Sequence, residues 1–355
     1  MAPVFFYAQD AKPVQPFHVS PWQCEAHDIQ RGCSEFVLRG DFFCLPFGKG
    51  PAIDEAEKHN PHGDTSGGLW SLAGWSEDSR QHRLSLALEL STRPGRVTRD
   101  FYLLDGHNVV YDRTVIYGFA GKTTLGHHAV LAVPDDEKSL LISVYPFDLG
   151  LTYPRPFADP SDGDYQSLAI EARFESLEKI PSIFRDREDA DCSAFPARRG
   201  FTDLLQIGVR PSGNEFAWTT AVNISDSYLW FALRDPLVLP STILWIENCG
   251  RHSAPWNGRN NSLGLEDVCS FFDRGIKASS EANAFSDRGI PTSHTLSDAT
   301  PFTVNYIQGV VQTPAGFGRV KDVQRVSEGL KFEDEKGVTL LAEVQTSFLW
   351  GEEIW

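Results

Sequence analysis

The sequence predicts an all-β protein, a large antiparallel β-sandwich with few short helices, and three observations lead there. Apolar and polar residues alternate at period two along much of the chain, Gly-, Asn- and Asp-rich turns separate those stretches, and helical periodicity is confined to two short segments. Neither a βαβ alternation nor a repeat of 20–50 residues is present, so doubly wound, α/β-barrel and solenoid folds lose their basis.

In RLSLALEL, Leu84, Leu86, Leu88 and Leu90 fall on one face of an extended segment, and Arg83, Ser85, Ala87 and Glu89 fall on the other. VTRDFYLL (97–104) continues this pattern, and in TTLGHHAVLAV His127 and His128 interrupt an apolar extended run. In a strand these two point to opposite faces. Further strands are expected at LAIEARFE (168–175), FAWTTAVN (216–223), YLWFALR (228–234), STILWIEN from Ser241, FTVNYIQGVV (302–311) and VTLLAEVQ (338–345). RPG (93–95), DGHN (105–108), RPSGNE (210–215) and DEKG (334–337) carry residues that tolerate hairpin dihedrals, so several neighbours should pair antiparallel. The helical candidates are LEKIPSIFRD (177–186), which Pro181 would break, and DRGIKASSEANAF (273–285).

Long Pro- and Gly-rich loops at 46–68 and 152–164 are of the kind that build binding sites. Strands of the same character flank the second loop and no low-complexity linker intervenes. Residues 1–355 are therefore read as a single domain.

The 355 residues carry 32 Lys+Arg against 48 Asp+Glu, a formal charge of -16, which repels phosphate backbones and anionic lipid. Nucleic acid and membrane are not expected partners. The N-terminus has no positive segment ahead of its short apolar patch, and no 18-residue apolar run occurs. The six cysteines are scattered without a CxxC pair, which suits reduced thiols in a cytoplasmic protein.

Three constellations could carry chemistry: HNPHGDTSGGLW, with His59, His62, Asp64 and Trp70; the His127–His128 pair; and WIENCGRHSAPWNGRNNSLGLEDV, with Trp245, Arg251, Trp256, Arg259, Glu266 and Asp267. Singly, each has a plain structural reading, such as a solvated loop histidine or a core tryptophan. Together they suit a sugar: aromatic rings cover the C–H face of a pyranose, and planar polar groups bond its hydroxyls.

The order of these motifs resembles the aldose 1-epimerase, or galactose mutarotase-like, superfamily over about residues 30–345. HG stands at His62–Gly63, a second histidine opens HAVLAV at His128, and GLE stands at Gly264–Glu266. The chain departs from the family pattern where GHH replaces an NH pair, VLA replaces YFN, and Asp267 replaces a proline after the glutamate. The resemblance implies a galactose mutarotase-like supersandwich that interconverts sugar anomers. It implies Glu266 as general base, His128 as general acid with His127 as the alternative, and His62 holding a ring or hydroxyl oxygen. Asp64, Trp70, Arg251, Trp256 and Arg259 are candidate sugar contacts. This chemistry calls for no cofactor, and no HExxH-like ligand pair suggests a metal. The expected partner is a small carbohydrate, the expected state a monomer or homodimer. The alternatives are a non-catalytic sugar-binding or sensing protein, and a sandwich related to carbohydrate lyases or hydrolases. A hydrolase would need a second carboxylate across the scissile bond, and the family-matched positions supply one acid.

Overall fold

A computed structural model describes residues 6–7, 13–36, 38–185, 189–213 and 215–354. Two antiparallel sheets face each other. The larger has nine strands in the order Ala194–Phe195, Leu140–Val144, Ala217–Asn223, Tyr228–Arg234, Phe302–Gln312, Val109–Gly118, Gly95–Leu104, Gln81–Glu89 and Ser71–Glu77. The smaller has seven: Arg173–Phe174, Leu149–Thr152, Phe201–Gly208, Ser241–Asn248, Asn261–Cys269, Leu125–Ala132 and Asp41–Cys44. A three-stranded sheet, Val320–Val326, Gly329–Asp334 and Thr339–Ala342, packs outside the larger one.

This layering explains the sequence pattern. Leu244, Ile246, Leu263, Leu265, Trp230 and Val304 fill the space between the two large sheets. Leu229, Phe231 and Leu233 face the other way, against Leu330 and Phe332 of the three-stranded sheet. YLWFALR is therefore buried on both faces, which is why it reads as a nearly continuous apolar run. The smaller sheet also buries its outer face: Val130, Ile243, Trp245 and Val268 lie under loop residues Trp22, Trp256, Phe272 and Phe285. That covered outer face holds the candidate site.

Two expectations fail locally. LAIEARFE forms a strand only at Arg173–Phe174, because Glu171 takes a φ of 53° and turns the chain. LEKIPSIFRD makes no helix among its described residues; Ile180 and Ser182 instead form isolated bridges to Ala190 and Leu168. Pro181 lacks the N–H a helix would use and biases Ile180 toward extended backbone. The second helical candidate forms one short helix, Gly275–Ser280. All six cysteines are free. No helix among the described residues is long and apolar enough to cross a membrane.

Candidate active site

Strand register builds the site. Asp41–Cys44, Leu125–Ala132, Asn261–Cys269 and Ser241–Asn248 are consecutive neighbours, and their pairing places Phe42, His128, Glu266 and Ile243 in one cross-strand row. The adjacent row is Phe43, His127, Asp267 and Thr242. Residues directly opposite in a ladder share a face, and successive residues alternate. His128 and Glu266 thus lie on the outer face with Val130 and Ile243, and His127 and Asp267 lie between the two large sheets.

The inward row is a buried ionic network. His127 Nδ1 is 3.0 Å from Asp41 Oδ2, and its ring stacks on Tyr306 with centroids 3.9 Å apart. Tyr306 Oη donates to Asp267 Oδ2 at 2.7 Å, and Arg234 Nη1 and Thr242 Oγ1 donate to Asp267 Oδ1 at 2.7 and 2.6 Å. Asp41, Asp112 and His127 could in principle converge on a metal ion. Arg99, however, donates to both carboxylates and already supplies the positive charge there. His127 is accordingly remote from the outer cleft.

On the outer face, His128 Nε2 is 3.2 Å from Glu266 Oε1, and both residues are buried. Phe42 stacks on His128 at a centroid distance of 4.5 Å, and His62 meets it edge-on at 4.9 Å. The His62–Gly63 pair has a backbone reason: a Cβ at Gly63 would lie 1.9 Å from the carbonyl oxygen of Leu45. This close approach lets His62, with φ 61°, press its ring against Phe47 and His128. Gly264 in GLE has a reason too. A Cβ there would come within 2.8 Å of Glu266 Oε1 and 3.1 Å of Trp245 Cβ, so its absence makes room for the carboxyl and the indole side by side.

Trp245 and Trp256 meet edge-on at 5.9 Å, and the Arg251 guanidinium lies over both rings at 5.4 and 4.8 Å. Arg251 Nε is 3.6 Å from Glu247 Oε2. Lys49, Glu35, Asp273 and Phe157 complete the lining of the cleft. Lys49 Nζ is 3.3 Å from Glu35 Oε1, and Tyr153 Oη donates to Asp273 Oδ1 at 2.9 Å. The cleft encloses about 30 Å³, room for about one water, so a pyranose enters only as lining side chains part.

Burial governs the titration of the central groups. It raises the Glu266 carboxyl well above its ordinary range, with Asp273 adding to the rise and Lys49 opposing it. It lowers His128 well below the ordinary imidazole value, helped by neighbouring His62. His62 falls to about 4, through burial and the Lys49 charge. For Glu35 burial acts upward, but Lys49, His62 and hydrogen bonds outweigh it and hold the carboxyl at about 2. Both shifts in the His128–Glu266 contact favour a neutral pair with its single proton on the carboxyl. His62 Nδ1 and His128 Nδ1 are buried and make no hydrogen bond among the described residues.

The structure brings together His62, His128, Glu266, Arg251 and Trp256. It places the other expected contacts elsewhere. Asp64 accepts bonds from Ser91 N at 2.6 Å and Thr92 N at 3.1 Å, pinning a hairpin loop. Trp70 donates to the Thr65 carbonyl at 3.1 Å and lines a separate cavity of about 1260 Å³ beside Trp75 and Phe101. Arg259 Nη1 pairs with Glu25 at 2.8 Å on the surface. Sequence reasoning missed Lys49, Glu35, Asp273 and Phe157. Only the glycines around Lys49, in the 46–68 loop, hinted at the first.

No protein-family model matches the chain, and no curated protein matches it. Solved structures do. The Slr1438 protein from Synechocystis sp. PCC 6803 superposes with a TM-score of 0.52 at 11% identity, over 85% of each chain. A protein named as a mutarotase (YeaD) from Salmonella typhimurium gives 0.52 at 14% identity, over 85% of this chain and 82% of that one. One named as an aldose 1-epimerase from Escherichia coli K12 gives 0.50 at 13%, over 79% and 86%. At such identities the likeness speaks of architecture alone. The chain therefore shares its fold with these proteins named as a mutarotase and an aldose 1-epimerase.

Proposed function

We propose that this protein is an aldose 1-epimerase-like enzyme that interconverts the anomers of a small sugar through His128 and Glu266. The observation that carries the reading is their contact: an imidazole and a carboxyl, 3.2 Å apart and buried, at the floor of an aromatic-lined cleft. Anomer exchange needs one group to accept the proton of the anomeric hydroxyl and another to protonate the ring oxygen. As the C1–O5 bond breaks and the C1–O1 bond becomes a carbonyl, one proton leaves O1 and one arrives at O5. Rotation about C1–C2 and reclosure reverse both transfers.

The pair keeps a constant count of one proton throughout. From the ion-pair arrangement Glu266 is the base and His128 the acid, as the family resemblance implies. From the neutral arrangement that burial favours, Glu266 donates to the ring oxygen and neutral His128 accepts from O1. Ring opening converts one arrangement into the other, so a single shared proton serves both half-reactions. Phe42 and His62 fix the His128 ring, and Gly264 leaves room for the carboxyl beside Trp245. The Trp245, Trp256 and Phe157 rings supply apolar faces for sugar C–H groups.

Glu35 and Asp273 also line the cleft, outside the family-matched positions, which supply Glu266 as their one acid. Each is already engaged, Glu35 by Lys49 and Asp273 by Tyr153, which favours the epimerase over a two-carboxylate hydrolase. The test is polarimetry of freshly dissolved α-anomers of D-glucose, D-galactose, D-mannose and D-xylose. Accelerated relaxation with the wild type and none with His128→Asn is expected. No acceleration with any sugar refutes the reading.

A further inference from the structure

Two loops far apart in sequence are fastened to each other at the mouth of the cleft, and each delivers one charged side chain into it. From this geometry we propose that Lys49 and Asp273 are specificity-determining residues that grip substrate hydroxyls at a spacing set by the backbone contact between their loops. The proposal rests on the sugar-binding reading above and adds residues that the motifs do not include.

The fastening depends on glycine. Lys49 N and Gly50 N donate to the Asp273 carbonyl at 2.7 and 3.3 Å. A Cβ at Gly48 would lie 2.7 Å from the Asp273 carbonyl oxygen, and one at Gly50 would lie 2.0 Å from that of Arg274. From the other side, a Cβ at Gly275 would lie 2.4 Å from the Gly50 backbone. Lys277 N donates to Pro51 O at 3.0 Å and extends the seam. At positions 48, 50 and 275 the two segments therefore meet at backbone distances that leave no room for a Cβ.

The two side chains carry complementary capacity. The Lys49 ammonium has three N–H donors and one acidic neighbour at 3.3 Å, Glu35, and its side chain is 38% exposed. Asp273 accepts from Tyr153 on Oδ1, and no described residue donates to its Oδ2, which can accept from a ligand. A lysine only donates and a carboxylate only accepts, so the pair reads one hydroxyl as acceptor and another as donor. Neither makes a hydrogen bond or ion pair with His128 or Glu266 among the described residues, although both charges act on the titration of Glu266.

Isothermal titration with D-glucose, D-galactose, D-mannose and D-xylose tests this on wild type, Lys49→Met, Asp273→Asn and Gly50→Ala, with thermal unfolding as the control for folding. Lys49→Met and Asp273→Asn are each expected to raise Kd for the tightest sugar about tenfold or more, the loss of one charged hydrogen bond. Gly50→Ala should weaken it comparably by displacing both groups; if that variant does not fold, the two side-chain variants decide alone. Wild-type Kd in both Lys49→Met and Asp273→Asn overturns the proposal, while loss of anomer exchange in Glu266→Gln would leave the functional reading standing. Absence of binding by the wild type to all four sugars overturns both.

Discussion

His128 and Glu266 are register partners on adjacent antiparallel strands, and their side chains meet on the outer face of the seven-stranded sheet with Nε2 3.2 Å from Oε1. A ladder is a rigid way to hold an acid and a base, because neither group depends on a loop for its place. The residues one position along, His127 and Asp267, point to the opposite face and belong to a separate buried network.

The first prediction follows from this division of two consecutive histidines. His127→Ala removes the partner of Asp41 and the ring stacked on Tyr306, and should cost about 2–3 kcal/mol of stability. Catalytic turnover should remain within about twofold. His128→Asn should do the reverse, abolishing turnover at little cost in stability. Urea unfolding and polarimetry on the two variants check both halves.

Gly264→Ala probes how the carboxyl is placed. The added Cβ would sit 2.8 Å from Glu266 Oε1, so the carboxyl must leave its present position against His128 or the strand must move. A fall in kcat of at least about 10²-fold is expected, as for a misplaced catalytic group, with the melting temperature lowered by only a few degrees. An unchanged kcat would mean that the carboxyl has another equally effective position.

Asp267, which stands where the family pattern has proline, anchors Arg234, Thr242 and Tyr306 between the sheets. Arg234→Met would leave its carboxylate buried without the cationic partner, at a cost of about 3–5 kcal/mol. Replacing Arg259, which pairs with Glu25 at the surface, should leave the unfolding midpoint nearly unchanged, because solvent screens the pair. Chemical denaturation of Arg234→Met and Arg259→Ala gives the comparison.

Stability should also fall on acidification in a way His62 helps to set. Its folded value of about 4 lies below the ordinary 6.5, so the unfolded chain binds a proton between those pH values and the folded chain does not. The contribution is present above pH 6.5 and is lost as pH falls toward 4, by up to about 3 kcal/mol. His62→Gln should flatten the stability profile in that window relative to wild type. Parallel profiles would place the His62 ring in contact with water.

Much of the sheet was legible because alternation is visible wherever one strand face is less apolar than the other, as in RLSLALEL. Phe201–Gly208 gave little signal because it is buried almost throughout. The alternation also required His127 and His128 to diverge, but it could not say which one faced the cleft: Ala129 and Leu131 on one side and Val130 on the other are equally apolar, since both faces of this strand are covered. Asp64 and Trp70 looked like site residues through their nearness in sequence to His62, yet the chain turns at Gly63 and carries them away. Lys49 and Asp273 could not be paired by sequence reading, because a backbone seam between residues more than 200 positions apart leaves only scattered glycines as its trace.

The most direct test of the central claim is magnetisation-exchange NMR at anomeric equilibrium, comparing wild type with Glu266→Gln on the aldose that the wild type turns over fastest. The account predicts exchange cross-peaks between α and β anomeric protons with the wild type and their disappearance in the variant, with sugar binding retained. Equal exchange in the two proteins would contradict it and remove Glu266 from the chemistry.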